Sequence, residues 1–350
     1  MDMNTCDLSF DVSDILSGDT EEINTPSFGP VSVTIFGDRK KSPCIAYHDV
    51  GLNHHSCFHS LFVVSGPQSL LLKNFYVIFI DVPGCQVCIC IHFDIIRTHT
   101  THSSRYHHTP QPSPSASASL PPQQYTLHSM AEQVYEIAQH FNLRECLGLG
   151  VGNGGYILSA CATAHPSLFA GLILISPSFK QAGWWEWGMG SLAIAHLRRW
   201  GWTPTAKDHF THRLLSPAAV QFLGGESELV KALHREFESL NPLAVATYLS
   251  AVLSRPRLGV GVGASPGVKG THLRCRVLLI YGSQGMYEGD SLELSTSAVD
   301  KSKFALFEVQ EGGVLVNEER PTELLSPLRL FLTSLQLEGI GLGESLEIGR

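Results

Sequence analysis

The sequence is short of charge, and of positive charge in particular. Charged residues make up 16% of its 350 residues, and 24 Lys and Arg stand against 32 Asp and Glu, for a formal net charge of -8. Proteins that follow nucleic-acid phosphates usually carry a basic face. We therefore expect no nucleic-acid partner.

Long uninterrupted apolar runs are also lacking. The most apolar window, residues 77–96, is broken by Asp81, Pro83 and Gly84, so we expect no transmembrane segment. Residues 1–30 are acidic and polar, which is not the pattern of a signal peptide. Nine cysteines, odd in number and scattered, predict no disulfide framework. These absences together predict a cytoplasmic protein.

Strand-like runs alternate with helical stretches along most of the chain. This alternation predicts an α/β fold with a mostly parallel central sheet flanked by helices. Between about residues 178 and 258 the pattern is helical only, and strands precede and follow it. A helical insertion between two late strands of such a sheet is expected to form a cap over the crevice at the strand ends.

Four segments are predicted to be irregular parts of a chain whose folded domain spans residues 28–338. Residues 1–27 are predicted to form an acidic, flexible leader, and residues 339–350 a C-terminal tail. Residues 97–124 are rich in Thr, His, Ser and Pro, a composition that cannot bury enough apolar surface to offset its ordering entropy, so we expect a disordered insertion over about residues 87–124. The composition of residues 259–270 predicts a glycine-rich linker.

No metal or cofactor is expected. Four histidines of the insertion are a conceivable metal site, but the disordered interpretation is preferred: His99, His102, His107 and His108. Gly150-x-Gly152-x-x-Gly155 matches the dinucleotide-binding fingerprint. That fingerprint belongs at the first strand, with a carboxylate at the end of the second, whereas here several strands precede it and the next one ends without a carboxylate.

The same glycines fit a different turn better. A strand over Cys146–Leu149, a glycine-flanked turn and a helix in mid-chain are the setting of the nucleophile elbow, G-x-S-x-G. The flanking glycines are Gly150 and Gly154, and the central position is Gly152. Glycine adopts the required backbone without strain and brings no side-chain oxygen, so the pattern predicts an elbow without a nucleophile.

The other two positions of a catalytic triad also lack the usual residues. The acid is expected just after the strand Val277–Tyr281, where Gly285 stands, with Glu288 and Asp290 displaced from that position. The base is expected after the last strand, where Val314 stands. The sequence therefore predicts no catalytic residue at any of the three positions, and hence no enzyme.

Several longer segments carry a family resemblance. They are Tyr47–His54 (YHDVGLNH), Asp81–Gly84 (DVPG), Leu149–Leu158 (LGVGNGGYIL), Gly171–Pro177 (GLILISP) with Trp184 and Trp187, and Glu308–Gly312 with Glu318–Pro321. Together they resemble the α/β-hydrolase superfamily and, within it, the N-myc downstream-regulated (NDRG) family, plant-type members above all.

That resemblance implies an α/β-hydrolase fold without catalytic activity. It implies a regulatory role in stress, growth or differentiation signalling, through binding to other proteins. It further implies the heterotrimeric G-protein βγ dimer as a partner, and peripheral association with membranes.

A second set of residues surrounds the predicted elbow as a vestigial pocket. The segment from Tyr47 to Gly51 lies where hydrolases build an oxyanion hole from backbone N–H groups, although a turn that packs against the elbow is the preferred interpretation. His48 and His54 are expected to be turn and core histidines. The vestigial set is His48, Asp49, Gly51, Gly150, Gly152, Asn153 and Gly154.

The cap carries the candidate partner surface. Tryptophans at helical spacing are more often buried than exposed, so we expect most of the five in the cap core, with an exposed aromatic face as the alternative. An amphipathic helix is predicted around residues 226–241. The candidate surface residues are Trp184, Trp187, Leu229, Leu233 and Phe237.

Two alternative functions remain open on the sequence. One is an esterase-like hydrolase with a relocated nucleophile, for which Ser159, Ser176 and Cys161 are candidates. The other is a small-molecule sensor that uses the vacant pocket.

Overall fold

The apolar runs of the sequence form the middle of a sheet. A computed structural model describes residues 18–63, 69–86, 125–222, 225–262, 271–297 and 300–337. In the strands Cys146–Val151 and Phe169–Ile175 every residue is buried, as expected where helices cover both faces of parallel strands.

The described elements alternate along the chain as the pattern predicts. The strands are β1 Asp19–Thr25, β2 Gly29–Phe36, β3 Ser42–Tyr47, β4 Phe75–Asp81, β5 Cys146–Val151, β6 Phe169–Ile175, β7 Gln221–Phe222, β8 Gly225–Glu226, β9 Val260–Val262, β10 Thr271–Leu273, β11 Arg276–Gly282 and β12 Phe304–Val309. The α-helices are α1 His54–Val63, α2 Leu70–Asn74, α3 Leu127–His140, α4 Asn153–Ala164, α5 Trp184–Trp200, α6 Pro204–Leu214, α7 Pro217–Val220, α8 Glu228–Ser239, α9 Pro242–Leu253, α10 Glu288–Ser297, α11 Val316–Glu319 and α12 Leu325–Leu337.

Eight of the strands form one sheet, in the order β1-β2-β4-β3-β5-β6-β11-β12. The β1/β2 and β2/β4 pairs are antiparallel, and the remaining pairs are parallel. The predicted fold class, a mostly parallel central sheet flanked by helices, is confirmed. The carboxyl ends of β3, β5, β6 and β11 meet at one edge, which is where such sheets carry their sites.

The cap is inserted between β6 and β11, which are neighbours in the sheet. It comprises α5 to α9 and the short β7/β8 hairpin. Its helices begin where the sequence provides caps: the side chains of Thr203, Ser227 and Asn241 accept backbone N–H groups at the starts of α6, α8 and α9. Pro204 and Pro242 occupy the first turns of α6 and α9, where a missing N–H has no consequence.

Two predicted boundaries are wrong. The leader was expected to extend through residue 27, but Asp19–Thr25 pairs with β2 and buries Ile23 and Thr25. The linker is predicted over 259–270, but its residues 260–262 form β9, which pairs in parallel with β10. In both cases strand pairing supplies the backbone hydrogen bonds that a composition-based expectation does not register. Residues 1–17 of the leader, residues 263–270 of the linker, the predicted insertion 87–124 and the tail 339–350 lie outside the described residues.

Among the residues that the structure describes, no helix combines the length and the apolarity needed to cross a bilayer.

The strand β1 can be tested through its buried side chain. We expect Ile23→Ala to lower the free energy of unfolding by about 2–4 kcal/mol, because it empties a buried position. The matched control is Glu22→Ala at the exposed neighbouring position, with an expected change within about 0.5 kcal/mol. Urea unfolding followed by fluorescence measures both. If both variants changed the free energy of unfolding by equally small amounts, residues 19–25 would belong to a flexible leader instead.

Candidate functional site

The elbow has the backbone that its glycines predict. Strand β5 runs into Gly152, which has φ 55° and ψ -116° and precedes the first residue of α4. A Cβ atom at Gly154 would overlap the carbonyl oxygen of Tyr47, and one at Gly150 would lie 2.7 Å from the backbone of Gly155. Helix α4 therefore crosses the strands at a distance that only glycines permit.

The carboxylate of Asp49 lies against Gly152, the central residue of the elbow. A Cβ atom at Gly152 would overlap the Cγ and Oδ2 atoms of Asp49. Oδ1 of Asp49 accepts the backbone N–H groups of Val50, at 2.7 Å, and Asn153, at 3.0 Å, and the side-chain amide of Asn153, at 2.6 Å. In working hydrolases the N–H of the residue after the nucleophile and an N–H from the loop after β3 form the oxyanion hole. Here an internal carboxylate takes both.

His48 is a structural group of the turn. It is buried, and its Nε2 accepts the N–H of Val82 at 3.2 Å, so its Nδ1 carries the proton and donates to the carbonyl oxygen of Asp49 at 2.8 Å. Burial lowers the pKa of His48. His54, in contrast, pairs through Nδ1 with Oδ2 of the buried Asp81 at 2.6 Å.

The residues at the predicted acid and base positions, Gly285 and Val314, lie close together. A Cβ atom at Gly285 would lie 3.1 Å from the backbone of Gly313, next to the buried Val314. The displaced carboxylate of Asp290 accepts the N–H groups of Phe179, at 2.6 Å, and Lys180, at 2.8 Å. It therefore fixes the chain as it enters the cap.

A buried polar network connects this elbow to the cap. The Asn153 amide lies 3.5 Å from the Tyr287 hydroxyl, which also meets the Arg213 guanidinium. Glu186, in the first turn of α5, accepts both arginines: Arg213 at 3.3 Å, and Arg255 through two bonds of 2.9 Å. Both guanidinium groups lie over the Tyr287 ring, at 5.4 and 5.7 Å from its centroid.

The charges of the network compensate one another. Arg213 and Arg255 are almost completely buried, with side-chain exposures of 2% and 1%, and Glu186 is 11% exposed. Burial raises the pKa of Glu186, but the two arginines outweigh it and lower the pKa overall. Burial lowers the pKa of Arg213, but Tyr287, Asp49 and Glu186 outweigh it and raise the pKa overall. Two cations and two carboxylates thus share the space above the elbow.

The candidate substitute nucleophiles are covered. Ser159 and Cys161 are fully buried on α4, and burial raises the pKa of the Cys161 thiol. Ser176 is 1% exposed, and its hydroxyl donates to the carbonyl oxygen of Gly313 at 3.5 Å.

A cavity of 240 Å³ lies where the chain enters the cap, at Phe179 and Lys180. It is lined by Phe179, Lys180, Arg257, Leu258, His272 and Asp290, among others. Ligand pockets usually measure about 300–1,000 Å³, so this cavity is small for a drug-sized molecule. The candidate vestigial residues do not line it.

The predicted partner surface is only partly exposed. Trp184 and Trp187 are exposed, and so are Trp185 and Trp200, so the expectation that most tryptophans are cap core is wrong. The prediction is also wrong for the three surface residues on α8. Leu233 and Phe237 are buried, and Leu229 is partly buried against the core, because the apolar stripe of α8 faces the other cap helices.

Comparison with known proteins identifies the family to which this chain belongs. The model of the Ndr family matches residues 20–89 and 88–342. The chain belongs to the Ndr family. It is 31% identical to Protein NDL3 of Arabidopsis thaliana over 338 residues, which cover 94% of this chain and 85% of that protein. It is 28% identical to Protein NDRG2 of Mus musculus, with 91% of this chain and 75% of that protein covered.

Solved structures similar to this Ndr-family chain are α/β-hydrolases. An esterase from Thermogutta terrifontis superposes with a TM-score of 0.65 at 17% identity and covers 91% of this chain and 99% of its own. An enol-lactonase from Burkholderia xenovorans LB400 superposes with a TM-score of 0.62 at 15% identity, with 89% and 100% covered. The predicted α/β-hydrolase fold is confirmed. At this identity the likeness concerns the fold alone.

The network members on the cap side, Glu186, Arg213 and Arg255, are not among the residues predicted from the sequence. Arg213 and Arg255 lie far apart in sequence and meet only through the packing of α5, α6 and α9. One local signal exists, since Glu186 is a carboxylate between Trp185 and Trp187. An acidic side chain within an apolar run is expected to have a buried partner.

The network can be tested at its shared carboxylate. We expect Glu186→Gln to lower the free energy of unfolding by about 3–5 kcal/mol, because it leaves two buried guanidinium groups without the carboxylate that both of them bind. The control is Glu228→Gln, at a side chain 86% exposed, for which we expect no measurable change. Chemical denaturation measures both. Similar small effects would show that the buried network does not hold the cap.

A second prediction concerns pH. Burial, followed by repulsion from Arg213, lowers the pKa of His209 to about 4. A histidine whose pKa is depressed in the folded state contributes stability above its unfolded pKa of about 6.5, and that contribution is lost as the pH falls towards 4. We expect the stability of the parent to decline by about 2 kcal/mol more over this range than that of His209→Gln. The control is His212→Gln, at an exposed position of the same helix, which should follow the parent.

Proposed function

We propose that this chain is a catalytically silent α/β-hydrolase-fold protein that acts as a regulatory adaptor by binding other proteins. The observation that carries the proposal is the position of the Asp49 carboxylate, which overlaps the space of a nucleophile at Gly152 and accepts the Asn153 N–H at 3.0 Å. The acid and base positions are occupied by Gly285 and Val314. Glycine has no side-chain carboxylate to orient a base, and the apolar side chain of valine cannot accept a proton.

Electrostatics supports the same proposal. Acyl transfer requires donors that are free to stabilise the negative charge developing on the substrate oxygen, and removing one such donor lowers kcat by about 10²–10³. The Asn153 N–H is already engaged by a carboxylate. A second negative charge at the same position would be repelled by Asp49, so the residual oxyanion stabilisation is expected to be small.

The relocated-nucleophile alternative has little support in the geometry. Its three candidates, Ser159, Ser176 and Cys161, are buried. The sensor alternative would require space at the elbow, which the network around Tyr287 and Arg213 fills.

The biological setting of the adaptor is proposed from the family resemblance. It consists of stress, growth or differentiation signalling in the cytoplasm, with peripheral contact to membranes. The heterotrimeric G-protein βγ dimer is the partner to test first. The similarity to Protein NDL3 and Protein NDRG2 supports family membership, and the exposed tryptophans of α5 support a binding surface.

Reactivity towards a broad serine-hydrolase fluorophosphonate probe tests the catalytic part of the proposal. We expect neither the parent nor Gly152→Ser to be labelled, and neither to hydrolyse p-nitrophenyl esters, because the serine would lack both a base and a free oxyanion hole. Stoichiometric labelling of the parent, mapped to Ser159 or Ser176, would overturn the proposal and indicate a hydrolase.

The overlap between Asp49 and position 152 has its own test. We expect Gly152→Ser to lower the free energy of unfolding by about 1–3 kcal/mol, because a side chain is strained at this φ and meets the carboxylate. The double variant combines Gly152→Ser with Asp49→Ala, which removes the carboxylate that the serine would meet. The sum of the destabilisations measured for the two single variants should therefore exceed the destabilisation of the double variant by about 1 kcal/mol. Strict additivity would show that Asp49 does not occupy the nucleophile position.

A further inference from the structure

Helix α5 presents a large apolar surface to solvent. Its tryptophans are unusually exposed: 91% at Trp184, 81% at Trp185, 54% at Trp187 and 65% at Trp200. Its tryptophan face is defined here as Trp184, Trp185, Trp187, Leu192, Arg198, Arg199 and Trp200. The opposite side of the helix is buried through Gly190, Ala193 and Leu197.

The size of this face lies at the upper end of what a monomer usually exposes as an apolar patch. A tryptophan contributes up to about 250 Å², so the four exposed rings present on the order of 600 Å². The largest apolar patch of a typical monomer is about 300–600 Å², and a standard interface covers about 800 Å² per partner. The face is therefore large enough for most of one side of a specific interface.

Glu186 holds the first turn of the face in place. It points inwards, between outward-facing tryptophans, and receives two bonds of 2.9 Å from Arg255 as well as the bond from Arg213. A rigid turn loses little conformational entropy when a partner binds, so preorganisation of this kind favours affinity.

The charge of the face has one sign. Arg198 and Arg199 are exposed in its last turn. The single carboxylate of α5, Glu186, belongs to the buried network. The face thus combines tryptophan and arginine, the residue types that dominate interface hot spots, and its complement is apolar and acidic.

We propose that the tryptophan face of α5 binds an acidic amphipathic helix of a partner protein. The partner helix would place apolar side chains at i, i+3 or i+4 and i+7 against the tryptophans, and Asp or Glu side chains against Arg198 and Arg199. This inference deepens the proposed adaptor function and rests on it.

Charge makes a protein segment a better occupant than an anionic lipid surface. Segments that bind anionic lipid usually carry clusters of about 4–8 Lys and Arg, whereas this face has two arginines in a chain of net charge -8. A second copy of the chain would present no carboxylate of its own α5 face to these arginines.

Selection from a displayed library of helical peptides tests the proposal on the full-length chain. Peptides of about 20 residues span a helix the length of α5. We expect the selected peptides to be enriched in Asp or Glu beside a stripe of Leu, Phe or Met. Their binding should weaken at least about tenfold with Trp184→Ala/Trp185→Ala and with Arg198→Glu/Arg199→Glu. Leu330→Ala, at an apolar side chain 72% exposed on α12, is the matched control and should bind like the parent.

The opposite outcomes overturn the proposal. They are a selection that yields no binder, binders without acidic enrichment, or binding that neither α5 variant weakens. Vesicle binding lost with the tryptophan variant, measured on phosphatidylcholine with phosphatidylserine, would assign the face to lipid instead. Self-association lost with the same variant in sedimentation would assign it to a second copy. The fluorophosphonate assay separates the two proposals. If the parent is not labelled and one of these opposite outcomes is found, the proposed partner class is wrong but the catalytically silent site is still supported.

Discussion

The hydrogen bond from the Asn153 N–H to the Asp49 carboxylate, 3.0 Å long, joins the parts of the molecule on which the site depends. On one side it ties the loop after β3 to the start of α4. On the other, the Asn153 side chain leads through Tyr287 to the arginines and to Glu186 of the cap. A single carboxylate therefore both occupies the elbow and anchors the polar contacts that hold the cap over it.

Burial of these charges explains why most polar atoms of the network are paired, although Nε of Arg213 and Oδ2 of Asp49 have no hydrogen-bond partner among the described residues. A buried ion without a partner is strongly unfavourable, and a buried pair is tolerated only when its hydrogen bonds are satisfied. Arg255 meets this condition fully, since it also donates to the carbonyl oxygens of Lys180, at 2.7 Å, and Val252, at 2.9 Å. The space above the elbow thus holds side chains from the loops after two sheet strands and from the cap.

The sheet and the elbow could be predicted from the sequence because their signals are local. Strand β5, the turn at Gly152 and helix α4 follow from consecutive residues, and the fold follows from the alternation of such units. The filling of the pocket could not be predicted, since Asp49, Tyr287 and Arg213 meet only in the folded chain. The exposure of Trp184 and the burial of Phe237 depend on which side of each cap helix faces its neighbours, and helical periodicity alone does not determine that.

The position of the Asp49 side chain decides whether the elbow is filled, and a crystal structure that resolves individual carboxylate oxygens would measure it. We expect Oδ1 of Asp49 within hydrogen-bond distance of the N–H groups of both Val50 and Asn153, with Gly152 beneath the carboxylate. A carboxylate turned away from the elbow, with both N–H groups facing an open, solvent-filled pocket, would show that Asp49 does not fill it.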